Sequence, residues 1–172
     1  MNYLINELLT FSKIEMKQMR ISVRKGDIMH FLEELSHIFD IVAGEREIDF
    51  IVNLEDTEEE VWFSPSKLER ILYNLLSNAF KYTQPGGYVK LSAKLIKEEK
   101  GTFVQISVKD NGRGIPKEAQ EQIFESYYQV EKRDHREGFG LGLSLTRSLI
   151  HMHKGEIRVE SETTKVRTLS LP

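Results

Sequence analysis

The feature that most constrains this chain is the run Leu68-Glu-Arg-Ile-Leu-Tyr-Asn-Leu-Leu-Ser-Asn-Ala-Phe-Lys-Tyr-Thr83. Leu68, Ile71, Leu72, Leu75, Leu76, Ala79 and Phe80 recur at helical spacing, which predicts an amphipathic helix with one face buried against a sheet or another helix. Asn74 and Asn78 lie four apart at the margin of that face, and Lys81 follows. At about 100° per residue the three share a stripe roughly 10 Å long, about the length of a triphosphate. An asparagine carbonyl oxygen suits a hard cation such as Mg²⁺, and a lysine ammonium suits phosphate oxygens. A polar margin is also what any amphipathic helix shows to solvent, so the stripe alone leaves both readings open.

The rest of the sequence reads as alternating α and β signals. Asn2 to about Met19 is apolar on a broad stripe and reads as a helix of roughly 27 Å. Ile21 and Val23 predict a short strand. Asp27 is an N-cap for a helix from Ile28 to about Ala43, stopped by Gly44. Strands are expected at Glu47–Val52 and Glu60–Phe63, with the acidic run Glu55–Glu60 a solvated turn between them. Ser66 and Glu69 look like a capping box at the start of the central helix. Val89–Leu95 and Phe103–Val108 read as a hairpin, and Lys117–Phe124 as a short helix. Glu125–Phe139 has no period and reads as a functional loop. Leu141–Met152 is a helix, and Glu156–Val159 and Val166–Leu171 close the chain as strands. The mixed order predicts an α+β fold, one mixed sheet with helices on one face.

Composition excludes several classes. With 24 basic and 27 acidic side chains the net charge is −3, against sequence-independent nucleic-acid binding. No cysteine is present, so disulfides and thiolate metal sites are out. No apolar run approaches the roughly 20 residues that span a bilayer. The five histidines show no metal-binding pairing, and His151 and His153 read as capping or decorating a helix C-terminus, where a cation is welcome.

Two further stretches could hold a ligand. In Val108-Lys-Asp-Asn-Gly-Arg-Gly-Ile-Pro116 a strand ends in a carboxylate, Asp110, followed by Gly112 and Gly114, which permit a tight turn or a close approach. Such a carboxylate can accept a hydrogen bond from an exocyclic amine. Gly138-Phe-Gly-Leu-Gly142 opens a helix whose N–H groups, from Gly142 and Leu143 onward, favour an anion. It is neither a Walker A loop nor a Rossmann fingerprint.

In this order and at these separations the three stretches resemble the catalytic and ATP-binding domain of sensor histidine kinases, within the wider superfamily that includes gyrase and MutL. The resemblance covers nearly the whole chain. It implies the Bergerat two-layer α/β sandwich over residues 21–172, preceded over residues 1–20 by the remnant of a dimerisation-domain bundle helix. It implies ATP and Mg²⁺ as cofactors, Asn74 and Asn78 serving the metal, and Lys81 the phosphates, with Asn74, Asn78 and Lys81 as the catalytic set. By the same resemblance Tyr82, Asp110, Gly112, Gly114 and Ile115 surround the adenine. Arg136, Gly138, Gly140, Gly142 and Leu143 belong to the lid and the glycine-rich turn. Gln129 stands where relatives often carry an arginine. Lys154 replaces the first glycine of a usual His-Gly-Gly, and the last hairpin lacks its usual glycines.

Hydrolases of the superfamily place a water-activating glutamate where this chain has Asn74. An amide is no general base, which favours a kinase that stores ATP. None of the histidines is followed by an acidic residue, so the phosphoacceptor is expected elsewhere. The implied partners are a dimerisation and phosphoacceptor domain and a response-regulator receiver domain, in a homodimeric parent. A cytoplasmic location is implied, with neither nucleic acid nor a membrane contacted by this chain. The alternatives are a stand-alone serine kinase or ATPase of the superfamily and a nucleotide-binding pseudokinase.

Overall fold

The computed structural model describes residues 20–99, 101–128, 140–162 and 164–171, together with Leu9 and Ser12, both in helical conformation. For residues 161–171 the description is of the backbone alone. The expected N-terminal helix, apart from those two residues, and Arg136 and Gly138 of the expected lid lie outside the described residues.

Strand β1 (Arg24–Gly26) pairs antiparallel with β3 (Val61–Phe63), Lys25 standing opposite Trp62. The main sheet has the order β2 (Asp49–Leu54), β4 (Tyr88–Glu98), β5 (Gly101–Asp110), β7 (Thr164–Leu171), β6 (Glu156–Glu162). β2 lies parallel to β4, Asp49 opposite Tyr88, and the other neighbours are antiparallel. The sheet is therefore mixed, and the chain is an α+β sandwich.

Alternation along β4 and β5 turns Val89, Leu91, Ala93, Val104, Ile106 and Val108 into the core. The helices α1 (Ile28–Ser36), α2 (Ile38–Arg46), α3 (Pro65–Tyr82) and α4 (Gly142–Met152) supply the opposing apolar surface. All seven apolar residues of the α3 stripe are buried to 1% exposure or less. Phe80 stacks on Phe39 of α2 with centroids 5.6 Å apart and meets Phe50 of β2 edge-on at 5.3 Å. Such pairs add about 0.5–1.5 kcal/mol beyond area burial.

Local chemistry departs from the sequence expectations at several places. Asp27 does cap α1, accepting from the His30 N–H at 3.0 Å. The helix then breaks at His37, and Gly44 sits inside α2, which ends instead on Glu47 at φ 55°. The break leaves no trace in the hydrophobic period, because Ile28, Leu32, Leu35, Phe39 and Ala43 stay on one buried face across it. The strand expected at Ile21 and Val23 forms slightly later, at Arg24–Gly26, and the short helix at Lys117–Phe124 is two 3₁₀ turns, Lys117–Ala119 and Gln122–Phe124.

The capping box on Ser66 does not form. Pro65 occupies the first helical position and makes Ser64 the N-cap; proline's fixed φ and missing N–H fit that first position. The acidic turn is also less free than its composition implies. Glu55 accepts from the Leu95 N–H at 2.6 Å, and Glu59 meets Lys97 at 2.7 Å and Thr102 at 3.1 Å, tying the turn to the β4–β5 hairpin.

Candidate nucleotide site

Asp110 is the next inward position after Val104, Ile106 and Val108, so strand alternation carries a carboxylate onto the helix-facing side of the sheet. It is 7% exposed, and its Oδ1 accepts from the Gly112 N–H at 3.0 Å. The turn that follows runs directly against the end of α3. A β-carbon on Gly112 would collide with the Tyr82 carbonyl oxygen and lie 3.0 Å from Asp110 Oδ1. Glycine is required there by close approach. Asn111 secures the same turn to the sheet, its Oδ1 accepting from the Tyr88 N–H at 2.7 Å.

Closing this turn on α3 puts the Arg113 guanidinium 4.6 Å from the centre of the Tyr82 ring, with Lys81 Nζ at 5.2 Å. Two cations thus lie over one aromatic ring. Arg46 donates to the Phe80 carbonyl at 2.9 Å and satisfies one of the last acceptors of α3 beside them. Ile115 follows Gly114, which sits at φ 72°, and its carbonyl accepts from Gln120 Nε2 at 3.1 Å.

The other wall is the start of α4. Asn74 and Asn78 are both half-buried on α3. Asn74 Nδ2 donates to Thr146 Oγ1 at 2.7 Å, and Thr146 donates to the Gly142 carbonyl at 2.9 Å. A β-carbon on Gly142 would fall on Asn74 Oδ1, so the glycine makes room for the amide. Leu141 and Leu145 are buried, and Leu143, half-buried, packs against the core. Gly140, at φ 69°, accepts from the Tyr127 N–H at 3.0 Å, which brings together the two ends of the segment between them.

The structure thus gathers Asn74, Gly142 and Leu143 at one wall, and Tyr82, Asp110, Gly112, Gly114 and Ile115 at the other. Asn78 and Lys81 lie along the helix that joins the two walls. Among the described residues no three His, Cys, Asp or Glu side chains form a metal cluster. The fitting donors for a hard cation are the neutral amide oxygens of α3, completed by oxygens of a phosphate ligand.

Sequence reasoning missed Thr146, although a β-branched hydroxyl four residues after Gly142 in an otherwise apolar line was a usable sign. His153 does cap the C-terminus of α4, as expected, but its charge and exposure were misread. That ring is 8% exposed, hydrogen-bonds the Leu149 carbonyl through Nδ1 at 2.8 Å, and accepts from the Ser64 N–H through Nε2 at 3.3 Å. Burial lowers its pKa, with Lys67 adding to the effect. It is a neutral strut between two helices, not a surface cation.

With this geometry in place, the comparisons are specific. The profile of the family described as histidine kinase-, DNA gyrase B-, and HSP90-like ATPase matches residues 63–172, and this chain belongs to that family. The particular likeness within it is to sensor histidine kinases. Sensor histidine kinase WalK of Bacillus subtilis is 34% identical over 169 residues, the alignment covering 97% of this chain and 27% of WalK. Full-length ShkA, solved in complex with AMPPNP, superposes with a TM-score of 0.85 at 26% identity, over 98% of this chain and 35% of that one. The catalytic domain of histidine kinase ThkA gives 0.75 at 27% identity, over 88% and 98%. The chain spans well under half the length of the curated relatives it matches.

Proposed function

We propose that this chain is the ATP-binding catalytic domain of a two-component sensor histidine kinase, donating the γ-phosphoryl of ATP to a histidine on a dimerisation domain. The observation that carries this reading is the amide at position 74. It occupies the wall of the site next to Gly142, where a hydrolase needs a carboxylate, and its Nδ2 is already bound to Thr146. An amide so held takes no proton from water. Bound ATP then persists until an acceptor side chain arrives, and transfer depends on positioning and charge stabilisation.

In this reading Asp110 accepts from the adenine amino group, and Tyr82 and Ile115 flank the base. Gly112 and Gly114 shape the turn around it. Lys81 meets the phosphates, as does Arg136 from the lid, and the N–H groups after Gly138, Gly140 and Gly142, with that of Leu143, form the anion-binding turn. Asn78 and Asn74 supply oxygens to Mg²⁺, which neutralises charge on the phosphates. Residues 1–20 are the end of the dimerisation domain's second helix, and residues 21–172 the catalytic domain. The partners are that phosphoacceptor domain and a receiver domain, in a homodimeric, cytoplasmic assembly.

Calorimetric titration with ATP, with and without Mg²⁺, tests the binding. Labelled ATP with a supplied dimerisation domain tests the transfer. Phosphohistidine is expected on the supplied domain only, lost on Asn78→Ala or Asp110→Ala. Rapid steady-state ATP hydrolysis, or abundant phosphohistidine on this chain alone, would overturn the reading.

A further inference from the structure

We propose that Thr146 is a positioning residue for the nucleotide site, fixing the orientation of the Asn74 carboxamide so that its oxygen faces the metal and phosphate end. This rests on the nucleotide-binding reading above. The argument starts from the Gly142 carbonyl, which can only accept a hydrogen bond. The Thr146 hydroxyl lies 2.9 Å from it and gives it its one hydrogen. What Thr146 Oγ1 then offers Asn74 is a lone pair, and the Asn74 atom 2.7 Å away must be the donor, Nδ2. Thr146 is 1% exposed, so bulk water does not compete for these positions.

The alternative orientation would set Oδ1 against an oxygen whose hydrogen is already committed, two acceptors facing each other in a buried place. With Nδ2 held, Oδ1 occupies the space beside Gly142 that a side chain there would fill. The carboxamide is therefore polarised across the gap between α3 and α4, nitrogen toward Thr146 and oxygen toward the first turn of α4. A hard cation takes the oxygen and has no use for the nitrogen. The same relay disfavours an acid at position 74. A carboxylate would have to take the Thr146 hydrogen away from Gly142 or face a lone pair. The surroundings of Thr146 are apolar, Leu145, Leu149 and Ile150 all being buried on α4. Valine would fill its volume, so the hydroxyl is there for its hydrogen bonds.

The test compares Thr146→Val, Thr146→Ser, Asn74→Ala and the Thr146→Val/Asn74→Ala pair by calorimetry with ATP, at zero and saturating Mg²⁺. The ligand-free chain is followed in parallel by NMR of the Asn74 side-chain amide. Thr146→Val is expected to weaken Mg²⁺-dependent ATP affinity about tenfold, the equivalent of one directed hydrogen bond. It leaves the Mg²⁺-free affinity unchanged. Thr146→Ser stays near wild type, and the double variant is no weaker than Asn74→Ala alone. In the ligand-free wild type the Asn74 amide protons exchange slowly, and they exchange rapidly in Thr146→Val. Wild-type Mg²⁺ dependence in Thr146→Val, additive losses in the double variant, or fast-exchanging Asn74 protons in the wild type would each overturn the proposal. The NMR measurement decides it even where Thr146→Val folds poorly. Asp110→Ala separates the two levels. If it leaves ATP binding intact, the nucleotide reading falls and this proposal with it. If it abolishes binding while Thr146→Val is neutral, only the Thr146 assignment falls.

Discussion

The two ends of α3 are fastened by opposite means. At its carboxyl end, Gly112 approaches the Tyr82 carbonyl so closely that no side chain fits, and cationic side chains lie over the Tyr82 ring. At its amino end, a buried imidazole bridges the Ser64 N–H and the Leu149 carbonyl. The first junction is held by shape, the second by one polar bridge. The difference teaches where each is vulnerable. The carboxyl end leaves no room for an added atom at Gly112, whereas the amino end depends on an acceptor that a proton can remove.

Gly112→Ala attacks the first junction and has the largest expected effect. The added methyl meets backbone at Tyr82, which cannot swing aside as a side-chain tip could. Overpacking of this kind costs about 3 kcal/mol when neither partner can yield. The turn bearing Asp110 must also move, so ATP affinity should fall by more than stability alone explains. Chemical denaturation and calorimetry on the same variant check both. A variant of wild-type stability that binds ATP normally would break the claim that shape holds this end.

His153→Ala attacks the second junction. It leaves the Ser64 N–H without its acceptor and opens a gap between α3 and α4, at a cost of about 2 kcal/mol. Ser64 Oγ already has no partner among the described residues, so the cap has no reserve. The pH dependence sharpens the comparison further. The folded-state pKa of His153 is lowered, mainly by burial, so the unfolded chain binds its proton first. The stabilising contribution is complete above the ordinary histidine pKa of about 6.5 and is lost as pH falls below it toward the depressed folded value. Melting temperatures across that window should fall more steeply for the wild type than for His153→Asn. Parallel curves would show that the bridge does not titrate on its own.

The same contrast explains what could be read from the sequence. The α3 stripe was fully legible, because seven buried positions obey one period and no local chemistry interferes. Asp110 was legible as the acid that ends a strand before a Gly-x-Gly turn, although its inward aim emerges only from the alternation along β5 in the structure. The α3 cap was misread because a box pattern at Ser66 competes with Pro65, and only backbone geometry selects the proline. The role of His153 was hidden because its partners, Ser64 and Leu149, come from different helices, and a histidine near a helix end otherwise reads as a surface cation. Thr146 was hidden for the same reason. Its neighbours in sequence are core residues, and its partner Asn74 is 72 positions away.

Lys154 gives the smallest expected effect and isolates the backbone part of the amino-end junction. It follows His153 directly and adopts φ 58°, with its N–H donating to the His151 carbonyl at 2.9 Å as α4 terminates. That left-handed geometry is disfavoured for a side chain by roughly 1–2 kcal/mol, and glycine adopts it freely but loses more backbone entropy on folding. Lys154→Gly should therefore stabilise the chain by about 0.5 kcal/mol, a rise in melting temperature of about 1–2 °C. Because the change touches neither the imidazole nor Ser64, the pH dependence assigned to His153 should survive it unaltered. A Lys154→Gly variant that also flattened the pH profile would mean that the strained turn, and not the buried ring, sets the response of this end of α3.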